Sequence, residues 1–242
     1  MRNIETTFNP TQNHLDDIEK WMVEEKKIPI SENGNWTSVI DAFQRNTLIV
    51  ATLKNETIGF YALRYTQSTL IINVAEVKPN YRRKGVGRLL LKEIIEKYKN
   101  EEVFVLKLHC SPKSTHLIWR DLGFEYFPDS PADTSAGKIE MYKIIKPLLS
   151  CLNGNLNPTS EVVEIWDNEP GYTNDNNPTW VWKLEYLENS NILKKPIVHF
   201  GHYKWRVRWR KGDDIFRDCR YEYFDMKNEV FYCMIIKETP IL

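Results

Sequence analysis

The stretch Val77-Lys78-Pro79-Asn80-Tyr81-Arg82-Arg83-Lys84-Gly85-Val86-Gly87-Arg88-Leu89-Leu90 decides how the first part of this chain is read. It follows a β-rich run, TLIINVAEV, and opens a segment in which Leu89, Leu90, Ile94, Ile95 and Tyr98 recur at helical spacing. A strand therefore passes through a glycine-containing turn into an amphipathic helix. Two glycines let the backbone approach a ligand and turn its N–H groups inward, while the helix aims its positive end at the same point. Arg82, Arg83, Lys84 and Arg88 add four positive charges within seven residues. This is a site for a di- or polyphosphate. It is not a Walker loop, because no Gly-Lys-Ser/Thr follows, and it lacks the third glycine of a dinucleotide fingerprint. The competing reading is a solvated basic turn ahead of a helix.

Working outward, Asn13 is placed to cap a helix that carries Leu15, Ile18, Trp21 and Met22, and a second short helix is expected over Trp36 to Gln44. The runs TLIVATL and TIGFYALRY flank the turn formers Lys54 and Asn55 and predict a hairpin. Beyond the cradle, VFVLKLHC is strand-like, STHLIWRDLGF is helix-like with Gly123 at its stop, and EYF and KIEMYKII are further strands. The order βααβββαβαββ predicts an α/β (α+β) domain, a mixed sheet with flanking helices.

The pattern V-x-P-x-x-R-x-x-G-x-G before a leucine-rich helix, here VKPNYRRKGVGRLLL, resembles the acetyl-coenzyme A motif of the GCN5-related N-acetyltransferase (GNAT) superfamily. About thirty residues later, Leu117-Ile118-Trp119-Arg120-Asp121-Leu122-Gly123-Phe124 resembles that superfamily's second signature, an aromatic-containing helix closing with Gly-Phe. The likeness spans residues 3 to 147 or so. It implies acetyl-coenzyme A as cosubstrate, with backbone groups of Ala75, Glu76 and Val77 holding the pantetheine arm like an added strand. It also implies that the amides and cations of Arg82, Arg83, Lys84, Gly85, Val86, Gly87 and Arg88 hold the pyrophosphate.

The resemblance further implies direct acyl transfer to an amine, without a covalent enzyme intermediate. The acceptor ammonium must lose a proton, the developing oxyanion needs a donor, and the departing thiolate needs a proton or stabilisation. A backbone N–H near Val77 is the expected oxyanion donor. The candidate catalytic side chains are Glu76, Asn73 and Trp119. Relatives often set a Glu on the strand before the motif, but the inward parity read here holds Ile71, Asn73 and Ala75, none of which takes a proton, and Glu76 lies on the opposite parity. Glu76 also has a plainer reading, as a carboxylate paired with a neighbouring Lys or Arg. Trp119 stands where many relatives place a tyrosine acid; its indole N–H donates a hydrogen bond and cannot supply a proton near neutral pH. Tyr126, Tyr142 and His116 are alternatives for that step. Cys110 reads as a buried structural thiol rather than an acyl acceptor.

From about residue 159 the pattern changes to short strands separated by turns. The boundaries expected are residues 1–149 for the GNAT-like domain, 150–158 for a linker (within SCLNGNLNPTS, Ser150 to Ser160), and 159–242 for a small antiparallel all-β domain of unassigned role. Within it Lys204, Arg206, Arg208 and Arg210 alternate with Trp205, Val207 and Trp209. A three-residue loop at Gly212-Asp213-Asp214 pairs Val207 with Cys219 and Arg208 with Asp218, which makes this a self-neutralised sheet face rather than a nucleic-acid surface.

With 33 basic and 33 acidic residues among 242, no global field draws the molecule to nucleic acid or anionic lipid. Four cysteines without C-x-x-C spacing suggest reduced thiols and no metal, and no apolar run approaches a membrane span, so a cytoplasmic protein is expected. The expected partner is an amine-bearing small molecule or peptide, with no nucleic acid, no membrane, and room for a homodimer. The alternative function is an acyl-coenzyme A binding or interaction module with little catalytic activity.

Overall fold

Leu48–Leu53 (β2), Glu56–Thr66 (β3) and Thr69–Val77 (β4) are apolar on both faces, the signature of strands covered on both sides. The computed structural model, which describes residues 4–26, 34–66, 68–127, 139–152, 159–173, 177–224 and 233–241, shows why. One face of the sheet packs Ile49, Tyr61, Leu70 and Ile72 against Val86, Leu90 and Ile94 of Val86–Tyr98 (α3). The other packs Val50, Phe60, Ala62 and Val74 against Leu15, Ile18 and Met22 of Gln12–Lys26 (α1) and Val39 and Ala42 of Trp36–Gln44 (α2). Glu5–Thr7 (β1), Val105–Cys110 (β5), Glu125–Tyr126 (β6) and Ile139–Ile144 (β7) complete a seven-stranded sheet of order β1-β2-β3-β4-β5-β7-β6. Only the β4–β5 pair is parallel, so the sheet is mixed. His116–Asp121 (α4) lies between β5 and β6, and the element order is the one expected from the sequence.

The β2–β3 turn places Lys54 at φ 52° and Asn55 at φ 65°, the double left-handed conformation whose twist suits a two-residue hairpin. The α1 terminus departs from expectation. Asn13 lies inside the first turn, and Thr11 is the capping residue: its carbonyl accepts the amides of His14 and Leu15, while its own amide donates to His14 Nδ1 at 2.8 Å. The imidazole reaches back as the N3 carboxylate of a capping box does.

The chain divides into two compact units, Met1–Tyr126 with Ala132–Ile145, and Phe127–Pro131 with Lys146–Leu242. The change of unit falls at Ile145/Lys146, ahead of the stretch expected as linker. The reason is local: the Leu149 amide donates to Pro196 O (2.9 Å), the Leu152 amide donates to Val181 O (2.8 Å), and Cys151 packs on the second unit's core. Residues 153–158 of the expected linker lie outside the described residues.

The second unit holds Glu161–Ile165 (β8), Trp180–Lys183 (β9), Ile192–His199 (β10), Arg206–Lys211 (β11), Asp214–Arg220 (β12) and Met234–Glu238 (β13). They form antiparallel sheets β12-β11-β8-β9 and β10-β13. The aromatic run after β12 is one helical turn, Tyr221–Phe224 (α5), because helical spacing puts both Tyr221 and Phe224 into the core, where a strand would bury alternate residues. The β11–β12 hairpin has the expected partners, Val207 with Cys219 and Arg208 with Asp218, but reaches them differently. Lys211 pairs with Asp214 across a two-residue loop, and an extra residue, Phe216, restores the register. Without that bulge Arg208 would oppose Arg217.

The arginine face of β11 is neutralised from within. Arg206 pairs with Asp218, and both Arg208 and Arg210 donate to Glu164 of β8, at 2.7 Å each. The guanidinium groups of Arg206 and Arg208 lie 4.6 and 4.8 Å from the Trp166 ring. Glu164 is 1% exposed, so this is a buried network and not a solvated stripe. We therefore expect Glu164→Gln, which removes the shared countercharge of two arginines, to destabilise this unit by about 3 kcal/mol or more in chemical unfolding followed by tryptophan fluorescence. A cost below about 1 kcal/mol would show that the pairs behave as exposed ones.

His199 lies among Trp180, Trp182 and Trp205, its ring centroid 4.2 Å from that of Trp180, and its Nε2 is buried without a partner among the described residues. Burial draws its pKa down to about 4. The native state thus binds this proton less readily than the unfolded chain, whose histidine titrates near 6.5. Stability from this group is complete above about pH 6.5 and is lost as pH falls toward 4. The expected loss is on the order of 2 kcal/mol, allowing for partial solvent screening, and His199→Leu should remove that part of the pH dependence in urea titrations at pH 7 and 4.5.

Candidate active site

The geometry of the site begins with a strand that loses one neighbour. β4 pairs with β3 along its whole length, from Thr66↔Thr69 to Gly59↔Val77. Its parallel pairing with β5 covers only Thr69↔Val105 to Ile72↔Leu108, after which β5 continues with β7 as far as Cys110↔Ile139. From Asn73 to Val77, β4 therefore presents an edge without a strand partner among the described residues. Lys78 donates to Ile58 O at 2.9 Å, so by antiparallel alternation the backbone groups of Glu76 and Val74 turn toward β3, and those of Ala75 and Val77 turn to the open side.

Asn73 is an exposed bulge residue: Ala62 pairs with Val74 and Leu63 with Ile72. The extra residue exchanges the faces of the strand. Leu70 and Ile72 belong to the α3 side, yet beyond the bulge it is Ala75 and Val77 that pack there, while Val74 lies on the α1/α2 side. The single inward parity of Ile71, Asn73 and Ala75 read from the sequence does not persist through this point, and Glu76 shares the α1/α2 face with Val74.

The cradle follows. Pro79–Tyr81 is a 3-10 turn, tied down by Glu56, whose carboxylate takes the ammonium of Lys78 and the hydroxyl of Tyr81. Gly85, at φ 83°, stands at the N-cap of α3; its carbonyl accepts the Leu89 amide at 2.9 Å, and no side chain caps the helix. The leading amides of α3 thus project toward the loop without a side-chain acceptor among the described residues. A Cβ at Gly85 would meet nothing within 4 Å, whereas one at Gly87 would lie 3.2 Å from the Tyr61 hydroxyl. That hydroxyl donates to Gly87 O at 3.1 Å and holds the first turn of α3 onto β3. An uncapped helix start, a left-handed glycine with open space around it, and an adjacent strand edge together fit the pyrophosphate and pantetheine of coenzyme A.

The four cations divide. Arg83 and Lys84 are exposed at the loop, with Lys84 5.5 Å from the Tyr81 ring centroid. Arg82 is engaged by the protein itself: its Nε donates to Val77 O at 2.8 Å, and its guanidinium pairs with Glu25 of α1 and, at 3.8 Å, with Glu76. Arg88 donates to Asp121 O at the end of α4, at 3.3 Å. Trp119 is half-buried, its ring 5.8 Å from Tyr61 and 5.2 Å from Phe124, in the position of a packing residue. Tyr126 hydrogen-bonds His116, and Tyr142 donates to Glu125 at 3.0 Å. Cys110 is buried, 3.3 Å from Met141 Sδ, and burial pushes its thiol pKa up, which leaves it a poor nucleophile. Among the described residues no group of three or more His, Cys, Asp or Glu could hold a metal ion, and no helix is long and apolar enough to cross a membrane.

Sequence reasoning did not single out Tyr61, Glu25 or Glu56. Tyr61 carried little signal, since it shares its strand parity with Thr57 and with a second phenol, Tyr65. Glu25 carried none, since it meets Arg82 across 57 residues.

Residues 44–126 match the family model of the acetyltransferase (GNAT) domain. No curated protein matches the chain. Solved structures similar to it include Ard1 from Thermoplasma volcanium, 16% identical, with 60% of this chain and 99% of that chain covered and a TM-score of 0.47. PaiA N-acetyltransferase from Thermoplasma acidophilum, in complex with coenzyme A, is 17% identical over 59% of this chain and 99% of that chain, with a TM-score of 0.46. An acetyltransferase of the GNAT family from Staphylococcus aureus Mu50 is 14% identical over 60% and 100%, with a TM-score of 0.49. The family match spans β2 to β6 and so contains the strand parting, the glycine cradle and α4. Residues 44–126 of this chain are an acetyltransferase domain of the GNAT family.

Proposed function

We propose that the chain is an acetyl-coenzyme A dependent N-acetyltransferase that moves an acetyl group directly to an amine. The observation that carries this reading is the open edge of β4 beside the uncapped start of α3. Acetyl-coenzyme A, when bound, supplies an activated acyl group as its thioester. Ala75 and Val77 direct backbone groups into the gap and hold the pantetheine arm as a neighbouring strand would. The Val77 carbonyl is already taken by Arg82, so its N–H is the group left to stabilise negative charge on the acyl oxygen. The amides from Gly85 to Arg88 hold the pyrophosphate, with Arg83 and Lys84 adding charge at the rim.

Glu76 is the carboxylate beside the open edge, and on this reading it accepts the acceptor's proton, directly or through a water. Asn73, exposed on the bulge, offers its amide to the acceptor. Trp119 packs beneath the cradle through Tyr61 and supplies shape rather than a proton. That same packing favours a second reading, a module that binds coenzyme A with little turnover. Free-thiol release from acetyl-coenzyme A over polyamines, aminoglycosides, amino acids and peptide N-termini separates the two. Turnover on at least one amine supports the transferase, and tight coenzyme binding without turnover on any amine supports the module.

Gly85→Asp should weaken coenzyme A binding at least tenfold by calorimetry, because a carboxylate then occupies the approach of the pyrophosphate. The left-handed backbone costs the apo protein only about 1 kcal/mol, as aspartate tolerates this conformation better than most residues. Unchanged affinity would remove the cradle reading. Trp119→Phe should keep more than about a tenth of the turnover rate, since one hydrogen bond and some packing are lost and no proton donor is. A thousandfold fall with coenzyme affinity intact would assign Trp119 a direct role in the chemistry.

A further inference from the structure

Arg82 is the first cation of the glycine-containing motif, yet its side chain lies across the end of β4 and reaches α1, on the sheet face opposite α3. Its Nε donates to Val77 O at 2.8 Å. Its Nη2 faces two carboxylates: it hydrogen-bonds Glu25 Oε1 and lies 3.8 Å from Glu76 Oε2. One side chain therefore ties the last peptide of β4 and its penultimate residue to a helix that takes no part in the cradle.

The grip has a physical cause. Glu25 Oε2 is buried and has no hydrogen-bond partner among the described residues. A carboxylate in that state depends on the cation at its other oxygen, because an uncompensated charge shut away from water is costly. Glu25 is also firmly seated. One turn earlier on α1, Trp21, 3% exposed, packs on Phe60 with ring centroids 5.9 Å apart, and Phe60 is the β3 partner of Glu76. The elements α1, β3 and β4 thus close a ring of contacts that Arg82 completes at Glu76. Drawing Arg82 over to a phosphate would break its bond to Val77 and strip Glu25 of its countercharge. Arg83 and Lys84, exposed at the loop, carry no such cost.

We propose that Arg82 is a positioning residue for acyl transfer and not a phosphate ligand: with Glu25 as its anchor, it fixes the Val77 peptide and holds the Glu76 carboxylate at the end of β4. The proposal rests on the reading of Glu76 as the proton acceptor and of the Val77 N–H as the oxyanion donor. Arg82 touches no reacting atom and acts through these two groups by restricting where they lie. Its loss therefore slows the bound complex more than it weakens binding of the coenzyme.

The test uses the full chain and the amine turned over fastest in the free-thiol measurement. Arg82→Gln should lower kcat by about tenfold or more, while calorimetry gives a Kd for coenzyme A within about fivefold of the unaltered chain. A larger loss of coenzyme affinity would make Arg82 a phosphate ligand and overturn the proposal. Glu25→Gln should lower kcat by about threefold or more and leave coenzyme A bound at least as tightly, since only the anchor is loosened. Weaker coenzyme binding in that variant counts equally against it. A double-mutant cycle separates positioning from a general loss of stability: in the Glu76→Gln background the effect of Arg82→Gln on kcat should shrink by about threefold or more. An undiminished effect, in a chain where Glu76→Gln is itself slow, would overturn the proposal and leave Glu76 as the base. Full activity of Glu76→Gln, or no turnover on any amine, would instead overturn the transfer reading on which the proposal stands. Should Arg82→Gln not fold, Arg82→Lys, which keeps the charge and loses the Nε donor, takes its place in all three measurements.

Discussion

Everything at the cradle depends on the point where β4 and β5 stop pairing. Four residue pairs hold the strands together, Thr69↔Val105 through Ile72↔Leu108, and beyond them each strand keeps a different neighbour. Backbone amides and carbonyls need partners, so an edge left open inside a sheet is a standing demand for an extended ligand. The bulge at Asn73 stands at this parting and exchanges the faces of β4, which turns Ala75 and Val77 onto the core that contains α3. Tyr61 then binds the first turn of α3 from below, and the helix amides and the strand edge become parts of one rigid surface.

The second unit is organised by charge in a different way. Its central strand carries arginines on one face and apolar groups on the other, and the arginines are buried under Trp166 and answered by Glu164 and Asp218. Burying these ions is costly unless every one has its partner, so the network constrains which strand lies beside which more strongly than an apolar face would. Glu161 and Glu164 lie three residues apart on β8, on opposite faces, and only Glu164 is consumed by the network.

Much of this architecture was legible in the residues. The switch from period-two to helical spacing located the elements, and the glycines between TLIINVAEV and the leucine-rich helix located the cradle. The bulge at Asn73 was hidden because β4 is apolar on both faces there, so a change of parity leaves no mark on the pattern. The partners of Arg82 were hidden because an ion pair across 57 residues has no local signal. In the hairpin, register was readable from cross-strand charges while its means was not: a shorter loop and the extra residue Phe216 give the same pairs. The run Tyr221 to Phe224 has an aromatic composition that favours strands, and the core prevails by taking two of its residues at helical spacing.

The extra residue in β4 also governs what kinds of genetic change this chain can absorb. Substitution at Asn73 alters an exposed side chain and little else. Loss of the codon would remove the one residue without a partner: Ala62↔Val74 would follow Leu63↔Ile72 directly, with Ala75 and Val77 still on the α3 side and Val74 and Glu76 still on the α1/α2 side. Position 73 is thus tolerant of identity, and a descendant that lost it would forfeit the local kink of the bulge while keeping the register of the strand.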